Sequence, residues 1–268
     1  MLGKVLKYDF KSMGRILPLF YIALIFATFV FGINLRFIPE QTVVGSILWS
    51  LSGSLYGIIL IATAVVTLVV IISRYKKSLL GDSGYYMLTL PVKMETHIAS
   101  KTISAVIWTL FSLIVAVLSM MLIGIITYTG NIFDALRPFY EEFIELSGND
   151  LFFLIILMIE FLILALVSIM KTTLMIYAAL TFGQASRNHQ NLLAVALYMG
   201  FGFIESTVFT IIISIFDNLN FISDLTSRML RSIQGVDLLM LLFIIFITIL
   251  CVIYFIITNL YMKNKLDI

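Results

Sequence analysis

Six long apolar runs constrain this chain more than any other feature of its sequence. They cover residues 16–35, a stretch within 46–73, and residues 102–128, 151–182, 192–216 and 236–261. A helix needs roughly 20 apolar residues to cross about 30 Å of hydrocarbon. The runs lack the alternation of apolar and polar residues that is typical of outer-membrane strands. The sequence therefore predicts an all-α polytopic membrane protein with six transmembrane helices, which form a single domain over residues 1–268.

The composition excludes several classes of soluble protein. Of the 268 residues, 61% are hydrophobic and 12% are charged, against about 45–50% and about 25% in an average soluble domain. A water-soluble globule of this size cannot cover so much apolar surface. An ordinary cytosolic enzyme, a disordered chain and a nucleic-acid binder are excluded. One cysteine, Cys251, and two scattered histidines predict neither an internal disulfide nor a His/Cys metal site.

The distribution of basic residues predicts the orientation. Of the 17 lysines and arginines, twelve fall on the side of the two termini and four on the opposite side. Lysine and arginine are enriched in cytoplasmic loops. We therefore expect a multi-pass protein of the cell (plasma) membrane with both termini in the cytoplasm.

The N-terminal residues 1–15 are typical of an amphipathic helix. Basic side chains fall on one face and apolar ones on the other: Lys4, Lys7, Lys11 and Arg15, against Leu2, Val5, Leu6, Phe10 and Met13. Such a helix lies in the membrane interface. It serves either as a simple anchor or as a lever between the membrane and a cytoplasmic partner.

The cytoplasmic loop over residues 74–101 is too long and too apolar for a simple connector. Aromatic and aliphatic residues follow one another from Tyr85 to Leu90, and apolar side chains on a loop in water need a surface to dock on. That surface is either the protein's own membrane domain or another protein.

Residues 75–85 (YKKSLLGDSGY) and 89–92 (TLPV) resemble the loop between the second and third spans of small Gram-positive-type ABC-2 permeases. The basic N-terminal helix and the six spans are similar too. The resemblance implies an ABC-2 (type V exporter-like) permease fold and the membrane subunit of an ATP-driven exporter. It also implies a second permease copy or paralogue and an amphiphilic cargo, such as a peptide toxin, a bacteriocin or a drug-like lipid.

The same resemblance implies that this loop contacts a separate cytoplasmic ABC ATPase. The coupling residues would be Lys77, Leu79, Asp82, Gly84, Tyr85, Tyr86, Leu88, Leu90 and Pro91. The phosphate-binding motif G-x-x-x-x-G-K-[ST] does not occur in the sequence. We therefore expect no enzyme activity and no cofactor in this chain, with ATP and Mg²⁺ bound by the partner.

Two further patterns concern helix packing and the outer surface. Gly53 and Gly57 form a G-x-x-x-G pattern in the second span, which allows close approach of helices in lipid, either within the subunit or between subunits. The outer loop over residues 129–150 is amphipathic, and we expect an interfacial helix that begins near Pro138.

Two acidic residues within the spans are candidates for the translocation path. Glu160 and Glu205 both lie deep in apolar runs, and ionisable residues inside a membrane generally indicate function. Each would either line the path or form a hydrogen bond in helix packing. An alternative function is an ion-coupled secondary transporter that uses Glu160 or Glu205.

Overall fold

The computed structural model describes residues 2–39, 41–80, 94–128, 137, 141, 148–186, 188–218 and 233–265. These residues are helical apart from short turns and chain ends. The helices are α1 (Leu2–Met13), α2 (Leu17–Phe37), α3 (Val43–Tyr75), α4 (Met94–Thr127), α5 (Gly148–Gly183), α6 (Gln190–Asn218) and α7 (Ile233–Lys265). A short π-helical segment, Lys76–Leu80, continues α3.

Six of these helices, α2 to α7, are long and apolar enough to cross a membrane. Hydrocarbon offers no hydrogen-bond partner to the backbone, so a spanning segment must satisfy its N–H and C=O groups within its own helix. Many threonine and serine hydroxyls follow the same rule: Thr28, Thr63 and Thr258 each donate to the carbonyl oxygen four residues earlier. For the described residues, the prediction of an all-α protein is confirmed, and so is that of six helices long and apolar enough to cross a membrane.

The chain divides into two compact units. The first unit contains Met1–Tyr75 and Ile103–Ile144, and the second contains Lys76–Thr102 and Glu145–Ile268. The described residues 76–80 and 94–102 belong to the second unit, although α3 before them and the rest of α4 after them belong to the first. The prediction of one transmembrane domain over residues 1–268 stays a prediction.

In the first unit, α2 packs along α3. Leu24, Ala27 and Tyr56 form the buried centre, and Phe31 packs against it. Hydroxyl groups connect helices across this core. The Tyr21 and Ser112 hydroxyl oxygens are 2.7 Å apart, and those of Tyr56 and Ser119 are 2.9 Å apart.

The N-terminal helix α1 is docked on the first unit through its apolar side. The Phe10 ring stacks on Trp108 of α4, with 4.8 Å between the ring centroids. Met13 is 1% exposed. The Arg74 guanidinium, near the end of α3, donates a hydrogen bond to the Ser12 carbonyl oxygen. The predicted helix over residues 1–15 is thus present as α1 (Leu2–Met13), and its apolar residues Phe10 and Met13 are covered by protein.

In the second unit, α5 packs against both α6 and α7. Leu174, Tyr177 and Ala178 of α5 have no exposed surface. The turn from α5 into α6 is close, because a Cβ atom on Gly183 would lie 2.8 Å from the Gln190 carbonyl oxygen. Aromatic contacts join the three helices, among them Phe182 with Tyr261.

Most of the predicted outer interfacial helix lies outside the described residues. Arg137 and Glu141 are described, and both are helical. The Arg137 Nε atom lies 2.8 Å from the Glu141 Oε1 atom, in an ion pair that is largely exposed.

Candidate functional site

An ion pair inside the membrane-spanning part of the second unit joins α5 to α6. The Lys171 Nζ atom lies 2.8 Å from the Glu205 Oε2 atom, and the two side chains are 18% and 16% exposed. In hydrocarbon, an ion pair removes most of the cost of each separate charge. The structure thus places one predicted path residue, Glu205, against a lysine.

The Glu205 carboxylate has a second neighbour and one oxygen without a hydrogen bond. Tyr254 of α7 is almost fully buried and interacts electrostatically with Glu205. Among the described residues, the buried Glu205 Oε1 atom has no hydrogen-bond partner. Three helices, α5, α6 and α7, therefore meet at this carboxylate.

The other predicted path residue, Glu160, faces a second acidic residue. Glu160 of α5 is 9% exposed, and Asp237 of α7 interacts with it electrostatically. The Glu160 Oε2 and Asp237 Oδ1 atoms are buried and have no hydrogen-bond partner in the described part of the chain. Neither carboxylate, unlike that of Glu205, forms an ion pair with a cation among the described residues.

Glu160 and Lys171, the α5 members of the two groups, are well separated along that helix. Glu160 and Lys171 are eleven residues apart on α5, which places them on the same face and about 16 Å apart along the axis. The structure therefore does not bring Glu160 and Glu205 together. It arranges three carboxylates and one amine in two groups within the second unit, where buried acceptors without a hydrogen bond would attract cations or hydrogen-bond donors.

Three members of this arrangement were not predicted from the sequence: Lys171 as a partner, Asp237 and Tyr254. For Lys171 a signal was available. It lies twelve residues before the end of α5, and Glu205 lies fifteen residues after the start of α6. In a helical hairpin with a short turn, residues at similar distances from the turn lie at similar depth. No comparable signal places α7 against α5, because their order along the chain does not fix their register.

Of the predicted coupling residues, Lys77 and Leu79 are described. Both belong to the π-helical segment after α3, where Lys77 is exposed and Leu79 is buried. Asp82, Gly84, Tyr85, Tyr86, Leu88, Leu90 and Pro91 lie outside the described residues. The neighbouring Lys76 amino group donates to the Asn191 side-chain oxygen at 2.5 Å. Beside this bond is an open cavity of about 350 Å³, lined by Lys76 and residues 188–192.

The two glycines of the G-x-x-x-G pattern have different surroundings. A Cβ atom on Gly53 would lie 3.1 Å from the Phe31 ring of α2, whereas one on Gly57 would meet nothing within 4 Å. Gly53 therefore lies in the contact between α2 and α3, and the Gly57 position is open.

Comparisons of this chain with protein-family models, with curated proteins and with solved structures find no match in any of the three.

Proposed function

We propose that this protein is the membrane subunit of an ATP-driven ABC exporter of the ABC-2 class, a multi-pass protein of the cell membrane with both termini in the cytoplasm. The observation that carries the proposal is the segment at residues 75–92, which resembles the loop of such permeases, together with six spanning helices around it. The excess of lysine and arginine on the side of the termini supports the orientation.

The helices on both sides of the segment suit a connection to a partner outside the membrane. The last strongly apolar residue of α3 precedes Ser73, and helical structure continues to Leu80. On the other side, α4 begins at Met94, eight residues before its apolar run. At 1.5 Å per residue, each of these eight-residue helical extensions reaches about 12 Å beyond the apolar part of its helix. Both ends of the intervening segment are thus held where a cytoplasmic ATPase can reach.

The division of the chain into two units suggests how a displacement of the segment between α3 and α4 would be transmitted. The described residues on both sides of it, 76–80 and 94–102, belong to the second unit and are covalently continuous with α3 and with the rest of α4 in the first unit. A displacement caused by ATP binding in the partner would act on both units. ATP hydrolysis would occur in the partner, and this chain would carry no catalytic residue. The cargo would be an amphiphile, and a second permease copy or paralogue would complete the path.

Co-purification with a small cytoplasmic ATPase tests the proposal. We expect Tyr85→Ala and Leu88→Asp each to abolish ATPase binding, because both remove apolar docking surface. Tyr128→Ala is the matched control, since Tyr128 is 41% exposed and ends the apolar run over residues 102–128, away from the coupling segment. If the ATPase binds equally to both loop variants and to the control, the coupling assignment is wrong.

A second candidate, an ion-coupled secondary transporter, is favoured by one observation. The Glu160, Asp237 and Glu205 side chains each have a buried carboxylate oxygen without a hydrogen-bond partner, and such oxygens are acceptors for a transported proton or cation. Transport that survives ATP depletion but stops when the ion gradient is collapsed, and that Glu160→Gln abolishes, would select this function over the exporter.

A further inference from the structure

The face of α1 that points away from the protein carries a column of positive charge. Lys7 and Lys11 of α1 and Arg15 in the turn after it are all exposed. They follow one another at four-residue intervals, about 6 Å apart along a helix axis. The acidic residue within this stretch, Asp9, is 7% exposed and lies on the other side.

This face lacks the acidic residues that would balance its basic ones. Like charges four residues apart on a helix destabilise it, and no exposed carboxylate separates the three cations in residues 6–15. The apolar side of α1 is occupied by its own protein, since Phe10 stacks on Trp108 and Met13 is buried. The helix is therefore held in place by protein contacts, and its basic face is available to an external anionic surface.

The contact with Trp108 sets the depth of α1. Trp108 lies six residues into the apolar run that begins at Thr102, about 9 Å along the helix. Arg15 is two residues before the start of α2 at Leu17. From both positions we expect α1 to lie near the boundary between hydrocarbon and headgroups. Its exposed face also carries Tyr8, a residue type that is enriched at this boundary.

We propose that the basic face of α1, formed by Lys7, Lys11 and Arg15 with Tyr8 beside them, binds the headgroups of anionic phospholipids. The anionic phosphates supply the counter-charge that this face lacks within the protein. Attraction to an anionic membrane surface contributes about 1 kcal/mol for each nearby lysine or arginine, which is roughly a fivefold change in affinity per charge. The proposal concerns the lipid around the protein and is independent of an ATPase partner.

The two tryptophans of the sequence provide a test. Trp108 contacts α1, whereas Trp49 lies near the far end of α3, where its indole N–H donates to Asn34 and Ile38 carbonyl oxygens. A Trp49→Phe variant retains Trp108 as its sole tryptophan. We reconstitute it in symmetric phosphatidylcholine bilayers and add brominated phosphatidylglycerol, whose bromines quench nearby indole fluorescence.

The expected result is that Trp108 is quenched more strongly than the bulk fraction of phosphatidylglycerol accounts for. Adding Lys7→Gln and Lys11→Gln lowers the preference for the anionic lipid by up to about thirtyfold, and so does high salt. Both substituted side chains are exposed, so the fold is retained.

The control removes the same number of charges elsewhere. In the same Trp49→Phe background, Arg36→Gln with Lys263→Gln leaves the preference at Trp108 unchanged, since both residues are exposed on other helices. Quenching of Trp108 that follows the bulk lipid composition would overturn the proposal. An equal loss in the control double variant would also overturn it.

Discussion

The ion pair between Lys171 and Glu205 provides a sharp test of the second unit. Replacing Lys171 by methionine keeps the length of the side chain but leaves the Glu205 carboxylate without its cation, with Tyr254 as its described neighbour. Replacing Glu205 by methionine leaves the Lys171 ammonium unpaired. The double substitution removes both charges at once and leaves an apolar contact between α5 and α6.

The expected magnitudes follow from the burial of the pair. The two side chains are 18% and 16% exposed, so little discount for solvent screening applies. Removing one member of a buried pair costs about 3–5 kcal/mol, and a lone charge at the centre of a spanning helix costs about 2.5–3.5 kcal/mol. We expect about 3 kcal/mol for each single substitution. The double variant should lie within about 1 kcal/mol of the unsubstituted protein, because apolar replacements of both partners are often neutral.

The only cysteine of the sequence reports on this unit. Cys251 of α7 is 5% exposed, so a maleimide labels it when the second unit opens. Labelling across a series of increasing dodecyl sulfate fractions in mixed micelles measures the free energy of unfolding of each variant. The exposed pair of Arg137 and Glu141 is the control, and its neutralisation should leave the labelling midpoint unchanged.

Additive effects of the two single substitutions on the free energy of unfolding would refute the ion pair. If the double variant is destabilised by the sum of the two single effects, Lys171 and Glu205 act independently and the ion pair does not join α5 to α6. Single variants as stable as the unsubstituted protein would refute it equally.

Two further predictions concern the first unit. Gly53→Leu should lower the free energy of unfolding by about 1–3 kcal/mol through overpacking against Phe31, whereas Gly57→Leu should not lower it; equal thermal stabilities of the two purified variants would contradict this. Tyr56→Phe removes the hydroxyl that bonds to Ser119 and should cost about 1 kcal/mol, and Ser119→Ala should add little in that background; an additive effect in the double variant would show that the two hydroxyls do not interact.

Much of the secondary structure could be predicted, because a run of apolar residues along the sequence is enough to identify a spanning helix. The predicted run over residues 151–182 corresponds to a spanning helix at Leu151–Gly183, and that over 236–261 to one at Val236–Lys263. The helical extensions beyond the membrane were harder to predict. The stretch Lys76–Leu80, for example, is polar enough to be read as part of a loop, and its helical form continues α3.

The candidate site could be predicted in part. Glu160 and Glu205 stand out in the sequence because a carboxylate is costly in hydrocarbon. Asp237 does not, because it lies only one residue inside a predicted span and is indistinguishable there from a solvated residue. Its pairing with Glu160 depends on the stagger between α5 and α7, which no local pattern encodes.

The sequence by itself determined that this chain forms six apolar helices and a basic amphipathic one, because hydrocarbon forces each span to satisfy its own backbone hydrogen bonds. The tertiary structure alone decided which side chains meet, such as Lys171 with Glu205 and Phe10 with Trp108. It also brought Asp237 close enough to Glu160 for the two to interact electrostatically. Such contacts depend on the rotation and stagger of neighbouring helices, and in lipid these are set by many small packing terms distributed over the whole helix surface.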